Sequence, residues 1–337
     1  MSASRPSGGG ERHGGGRGPL LHRAGDAAAR IGSLRPADPR VRKGLYAVIG
    51  LLVALAVAFA AVALAGDLPD IEWNFRPWAV ALAIGSLLAL LVCSAGIWRR
   101  LLAVLGPELE PRRSRAIWFT SGLGRYVPTG LLLPVLRIAM SEREGVPKRI
   151  CLASVVYEFA LALTAGVAVA AYFVIDLPSL QDEPVRWLVL VFPVLALALL
   201  HPRIFHSVAD MGLERLGRDP LPLSLPFGRV LEFTALYCGT YLLGGLGLYG
   251  IAACVYPVGT DDLVVVIGAF AVGNVVAFVA PVLPGGLIAR EAGVVVALAP
   301  VVPASPALTI AVLSRIIYLA LESLLAVVTP ILARRQP

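Results

Sequence analysis

The sequence predicts an all-α fold, a polytopic membrane bundle of about seven to eight transmembrane helices with one or two re-entrant or broken segments. Three observations predict it. The chain is 58% hydrophobic and 15% charged, whereas a soluble domain is about a quarter charged, so a water-facing surface cannot be built from it. Long apolar runs of spanning length recur along it. Acid-rich and base-rich connections alternate between the early runs, as the positive-inside pattern requires.

Residues 1–43 hold nine Arg/Lys against three acids, so +6 of the net +7 lies there. This Gly-, Ser- and Arg-rich stretch lacks apolar periodicity and reads as a disordered basic cytoplasmic tail. Its arginines serve as a topology signal or attract anionic lipid. The basic balance therefore belongs to the tail, and no nucleic-acid-binding motif accompanies it. Residues 44–332 form the transmembrane domain, and 333–337 a short basic C-terminus.

Seven runs read as spans: Gly44 to Gly66, Pro77 to Trp98, Ile150 to Ile175, Arg186 to Leu200, Val230 to Val255, Leu263 to Pro281, and Pro306 to Leu332. Asp67, Asp70 and Glu72 follow the first, and Arg99 to Arg115 follow the second, which places the N-terminus in the cytoplasm; the Arg-over-Lys and Ala/Val/Gly bias suggests a bacterial plasma membrane. Trp73, Trp78 and Trp98 stand where aromatic belts lie. Gly244, Gly247 and Gly250 recur every three residues, giving the fifth run a nearly bare face for close helix packing. Cys93, Cys151, Cys238 and Cys254 read as small buried apolar residues. His201 and His206 lack a third ligand, so no metal is expected, and no cofactor motif occurs.

Two segments depart from plain apolar helix. Ala116 to Met140 carries Arg125 and Arg137 and is interrupted at Pro128 and Gly130. Val282 to about Val302 carries Arg290 and Glu291 behind Pro284, Gly285 and Gly286. For the first, charge and interruptions favour re-entry, because broken helix at membrane depth must be buried in protein or line a cavity. For the second, crossing places Arg334 and Arg335 inside, while its likeness to the first suggests re-entry; both readings stand.

Charge inside a membrane is costly, about 2.5 to 3.5 kcal/mol for each Asp, Lys or Arg at a helix centre. Arg125, Arg137, Glu158, Arg290, Glu291, Arg315 and Glu322 all fall at or near membrane depth. They must pair, face inward, or line a wet cavity. Arg315, Tyr318 and Glu322 share one helix face. The Arg excess suits a cavity that hosts an anionic lipid group, since Arg binds phosphate bidentately. Fixed salt bridges that hold broken helices together satisfy the same pattern.

The run Gly124-Arg125-Tyr126-Val127-Pro128-Thr129-Gly130, with Arg137 and the Arg143 to Pro147 loop, resembles a flippase-like transmembrane family typified by the membrane region of lysylphosphatidylglycerol synthase. Pro284 to Ala292 is similar to its second signature, with Ile288 where Gly is usual. Tyr157-Glu158, Ser314-Arg315 and Glu322 resemble its remaining positions. The resemblance covers about residues 44–332. It implies re-entrant elements, translocation of an anionic or glycosylated lipid, and a lipid path around the seven charged residues. No soluble aminoacyltransferase domain is present in the 337 residues, so aminoacylation is not carried over and no enzyme activity is expected. The alternative is a non-transporting membrane partner of a glycosyltransferase or envelope-assembly enzyme.

Overall fold

A computed structural model of the chain describes residues 73–126, 132–176, 184–205, 207, 225–279 and 288–334. Residues 1–45 separate from the unit Tyr46–Pro337, and everything below concerns the latter. Among the described residues every regular element is helical. The basic tail, the first run, and the breaks Pro128, Gly130, Pro284, Gly285 and Gly286 lie outside the described residues.

Among the described residues nine α-helices follow in order: α1 (Pro77–Leu105), α2 (Pro111–Gly122), α3 (Leu132–Glu142), α4 (Lys148–Asp176), α5 (Val191–Leu199), α6 (Phe227–Val255), α7 (Leu263–Val279), α8 (Ala289–Leu298) and α9 (Ala304–Ala333). A 3-10 turn, Leu123–Tyr126, continues α2. α1, α4, α6, α7 and α9 are long and apolar enough to cross a membrane. Pro77 and Pro111 open α1 and α2 because an N-terminal helical position needs no amide donor. Glu110 caps α2 by accepting from the Arg112 and Arg113 amides.

The fourth expected span is a single short apolar helix: residues 184–190 form a 3-10 helix that runs directly into the α-helix Val191–Leu199. At about 2.0 Å per residue in the 3-10 part and about 1.5 Å in the α part, it reaches about 27 Å, close to a bilayer core of about 30 Å.

α6 is the hub and packs against α1, α4, α7 and α9. Its glycines let backbones touch. At Gly250 an added Cβ would come within 2.6 Å of the Ala79 carbonyl oxygen on α1, and at Gly245 within 2.6 Å of the Ile267 Cα on α7. The expected single bare face is divided between neighbours: Gly247 and Gly250 face α1, whereas Gly244 faces Phe270 of α7. Three residues advance a helix by about 300°, so each glycine in the series is turned about 60° from the last. Cys93 is a second correction: it is exposed rather than buried. On the apolar outer face of α1, a thiol is a small hydrophobe.

The helix pairings sort the connections. The start of α1 meets the end of α6 through the Asn74 amide and Cys254 carbonyl, 2.9 Å apart, and Asp261 and Asp262 lie beside that end. At the opposite end, Arg99 pairs with Glu108 and Arg113 with Glu144, while Lys148 reaches Glu142 at 3.1 Å. The Arg113 pair joins the start of α2 to the loop after α3. The two short helices thus form a hairpin whose ends leave the bundle on one basic side.

The described part of the second interrupted segment, α8, packs between α7 and α9. Gly293 of α8 lies against Gly273 and Val276 of α7, and Arg290 reaches Ser314 of α9. α8 is only about 15 Å long. α9 then runs along α2, with Glu322 beside Gly122.

Gly250→Val should lower the stability of detergent-solubilised protein by about 1 to 3 kcal/mol through overpacking against α1. Gly239→Ala, with nothing within 4 Å of the new methyl, should be neutral or stabilising by about 0.5 to 1 kcal/mol. Thermal unfolding of the two variants checks both signs.

Candidate functional site

The α2–α3 hairpin is pinned by one buried ion pair. Arg137 of α3 is 1% exposed; its Nη1 bonds Glu158 Oε2 of α4 and its Nε donates to Ser121 Oγ of α2 at 3.0 Å. Trp118 Nε1 donates to the other Glu158 oxygen at 2.7 Å. The Arg137 guanidinium lies 5.0 Å from the Trp98 ring centre and 5.7 Å from that of Trp118. Its charge is met by a carboxylate, a hydroxyl and two aromatic faces, which is what a buried guanidinium requires.

Trp98 corrects the aromatic-belt reading. It is fully buried, with its Nε1 donating to Ser154 Oγ at 3.1 Å and its ring against Arg137. Trp73 and Trp78 are exposed, as a belt position demands.

A second centre joins the hairpin to α9. Arg125 Nη2 lies 3.2 Å from Glu322 Oε1, its Nε donates to the Gly122 carbonyl at 3.0 Å, and Tyr126 donates to Glu322 Oε2 at 2.7 Å. The Arg315 guanidinium lies 5.2 Å from the Tyr126 ring centre. The shared face of Arg315 and Glu322 is thus turned onto Tyr126.

The third centre is looser. Arg290 Nη1 is 3.7 Å from Glu291 Oε1 and 3.3 Å from Ser314 Oγ, with its guanidinium 5.5 Å from the Phe270 ring centre. Both Glu291 oxygens are buried without a hydrogen-bond donor among the described residues. Arg290 and Glu291 are held by the first turn of α8, which opens on Ile288 at φ 71° and ψ −49°. That backbone is close to a γ-turn that is strained for a β-branched residue.

A cavity of about 130 Å³ lies beside the first two centres. Arg125, Arg137, Glu158, Trp118, Tyr237, Tyr241, Asn274 and Tyr318 contribute to its wall, and Phe270 separates it from Arg290. It has room for about ten waters or for a small polar group. Of the seven charged residues expected around one path, three line the cavity and four stand behind or beside it.

Trp118, Ser121, Tyr237 and Tyr241 were not among the expected site residues. Trp118 and Ser121 do share the Arg125 face of α2, seven and four residues before it. For the two tyrosines on α6, nothing in the local sequence signals a site.

Among the described residues, a helical bundle with five membrane-length helices and buried ion pairs beside a cavity defines a multi-pass membrane protein. The family described as lysylphosphatidylglycerol synthase TM region matches residues 47–326, and the chain belongs to that family. No curated protein matches the chain.

Glu158→Ala should cost about 3 to 5 kcal/mol, because Arg137 is left buried without its carboxylate. Glu291→Gln, which removes no donated hydrogen bond, should cost far less. Unfolding of the two variants side by side measures the difference. Ile288→Gly should stabilise by about 1 kcal/mol, since glycine adopts a positive φ without the clash; a lower melting temperature would contradict it.

Proposed function

We propose that this protein is a lipid translocase that moves an anionic or glycosylated lipid between the leaflets of the cell membrane. The observation that carries this reading is the cavity at the α2–α3 hairpin, whose largely apolar wall includes the charged side chains of Arg125, Arg137 and Glu158. In this reading the hairpin is re-entrant: it enters and leaves by the basic side, an arrangement that membrane depth tolerates where the backbone is buried in protein or lines a cavity. The basic side faces the cytoplasm together with the N-terminal tail, as the excess of Arg and Lys favours. Membrane lipids are the partners, and no covalent bond is made or broken, so the protein acts as a transporter rather than an enzyme. Arg supplies bidentate donors to a phosphate, and the glutamates balance the charge when the site is empty.

The saturation of Arg137 and Glu158 favours a second reading. A pair already satisfied on every side suits a scaffold that holds a glycosyltransferase or envelope-assembly enzyme. Exchanging Arg137 and Glu158 should preserve function in a scaffold and abolish it in a translocase.

The direct test follows headgroup-labelled lipids between leaflets of proteoliposomes. Arg125→Ala and Arg290→Ala should each slow movement about 10- to 100-fold, the worth of a charge-assisted hydrogen bond, in protein that still elutes as a folded species. Wild-type protein that moves none of the anionic or glycosylated lipids tested would rule the translocase out.

A further inference from the structure

α4 and α7 run antiparallel and touch at three levels. At Gly268 of α7 an added Cβ would come within 2.1 Å of the Phe173 ring of α4, and at Gly166 of α4 within 3.1 Å of Val275 Cγ2 of α7. Glycine at these two levels leaves room for the facing side chain, so the seam is tight there. Phe173, Gly166 and Phe159 follow one another at heptad spacing and share a face of α4. The third level has no glycine. Phe159 meets Phe278 of α7 edge to face, with ring centres 6.0 Å apart. Both rings line the cavity, yet Phe159 is 40% and Phe278 36% exposed, the most exposed of the residues on its wall. A side chain that lines a cavity and is also exposed marks where the cavity reaches the surface.

The depth of that opening decides what enters it. α4 starts at Lys148 on the basic side, and Phe159 lies eleven residues further on. Eleven residues advance a helix by about 16 Å, roughly half of a bilayer core of about 30 Å. The opening therefore faces hydrocarbon and not water. Behind it the wall includes Ala162 of α4, Leu90 of α1 and Leu133 of α3. The carboxylate of Glu158 on the same wall is committed to Trp118 and Arg137. An apolar cavity of about 150 Å³ accepts a benzene-sized ligand, so a cavity of about 130 Å³ accepts the last few carbons of a chain.

We propose that the cavity opens sideways into the bilayer between α4 and α7, with Phe159 and Phe278 as its lips, and that it seats the end of a lipid hydrocarbon chain. This goes beyond the translocase reading and does not rest on it. A chain seated there fits a translocase or a scaffold equally, because the site concerns where a chain rests and not whether the lipid crosses.

The test is photolabelling of the full chain in proteoliposomes by a phosphatidylcholine with a diazirine at the end of one acyl chain. Its zwitterionic headgroup keeps attraction for an anion out of the readout. Mass spectrometry of the digested protein locates the adducts. They should appear at Leu90 and Leu133, which are buried, as well as at Val194 of α5, which is 66% exposed and reports ordinary lipid contact. Ala162→Phe, which fills the space behind the lips, should abolish the adducts at Leu90 and Leu133 and leave the one at Val194. Phe159→Ala, a truncation at an exposed position, should increase the interior adducts, and it decides alone if Ala162→Phe does not elute as a folded species. Wild-type labelling confined to outer faces would overturn the proposal. So would interior labelling that neither variant changes, or equal interior labelling by a water-soluble diazirine, which would make the opening aqueous. Lipid movement between leaflets without interior labelling would overturn the chain site and leave the translocase standing.

Discussion

The pair between Arg137 and Glu158 is the interaction on which the rest depends. α2 and α3 are too short to cross a membrane and too polar to rest against lipid. An isolated arginine at that depth would cost a few kcal/mol, comparable to a large share of a protein's net stability. Glu158 removes the cost only because other groups complete the shell: Trp118 takes its second oxygen, Ser121 takes the Arg137 Nε, and Trp98 covers the guanidinium. Those residues come from α1, α2, α3 and α4. One ion pair therefore fixes four elements against one another, and the hairpin cannot leave without exposing a charge.

The glycines of α6 supply the complementary constraint. At Gly250 against α1 and Gly245 against α7 the bundle closes to backbone contact, and Gly247 and Gly244 receive the side chains of Leu87 and Phe270. Small residues drive such contacts in membranes because lipid already satisfies apolar side chains. Earlier on the same helix, Tyr237 and Tyr241 replace glycine with bulk that holds the neighbours apart. Close packing at one end and aromatic spacers toward the other leave the cavity between α6 and the hairpin.

Much of this was legible in the chain. Spans are long apolar runs, and charges within them are conspicuous because burial there is costly. The residues that must be explained therefore announce themselves by type. The grouping of those charges was not legible, since Glu158 meets Arg137 rather than Arg125 through the rotation of separate helices. Trp98 was misread because an indole suits a membrane interface and a guanidinium equally, and only packing distinguishes them. Ile288 carried a usable signal: the resembling motif places glycine there, and a positive φ is the physical reason for one.

The three buried ion pairs differ in how much of each partner is already spent, and this decides which can meet a ligand without dismantling the fold. Arg137 has its guanidinium between two rings and a carboxylate that is fully occupied; drawing it toward a new anion would strip Glu158 and release the hairpin. Arg125 keeps part of its guanidinium exposed while Tyr126 continues to hold Glu322. It can exchange water for another acceptor with its structural bonds intact. Arg290 is intermediate, since its carboxylate neighbour lacks donors but Phe270 stands between it and the cavity. The same residue type thus serves as a fixed strut at one position and an available donor a short distance away, and the difference lies in hydrogen-bond saturation rather than in charge.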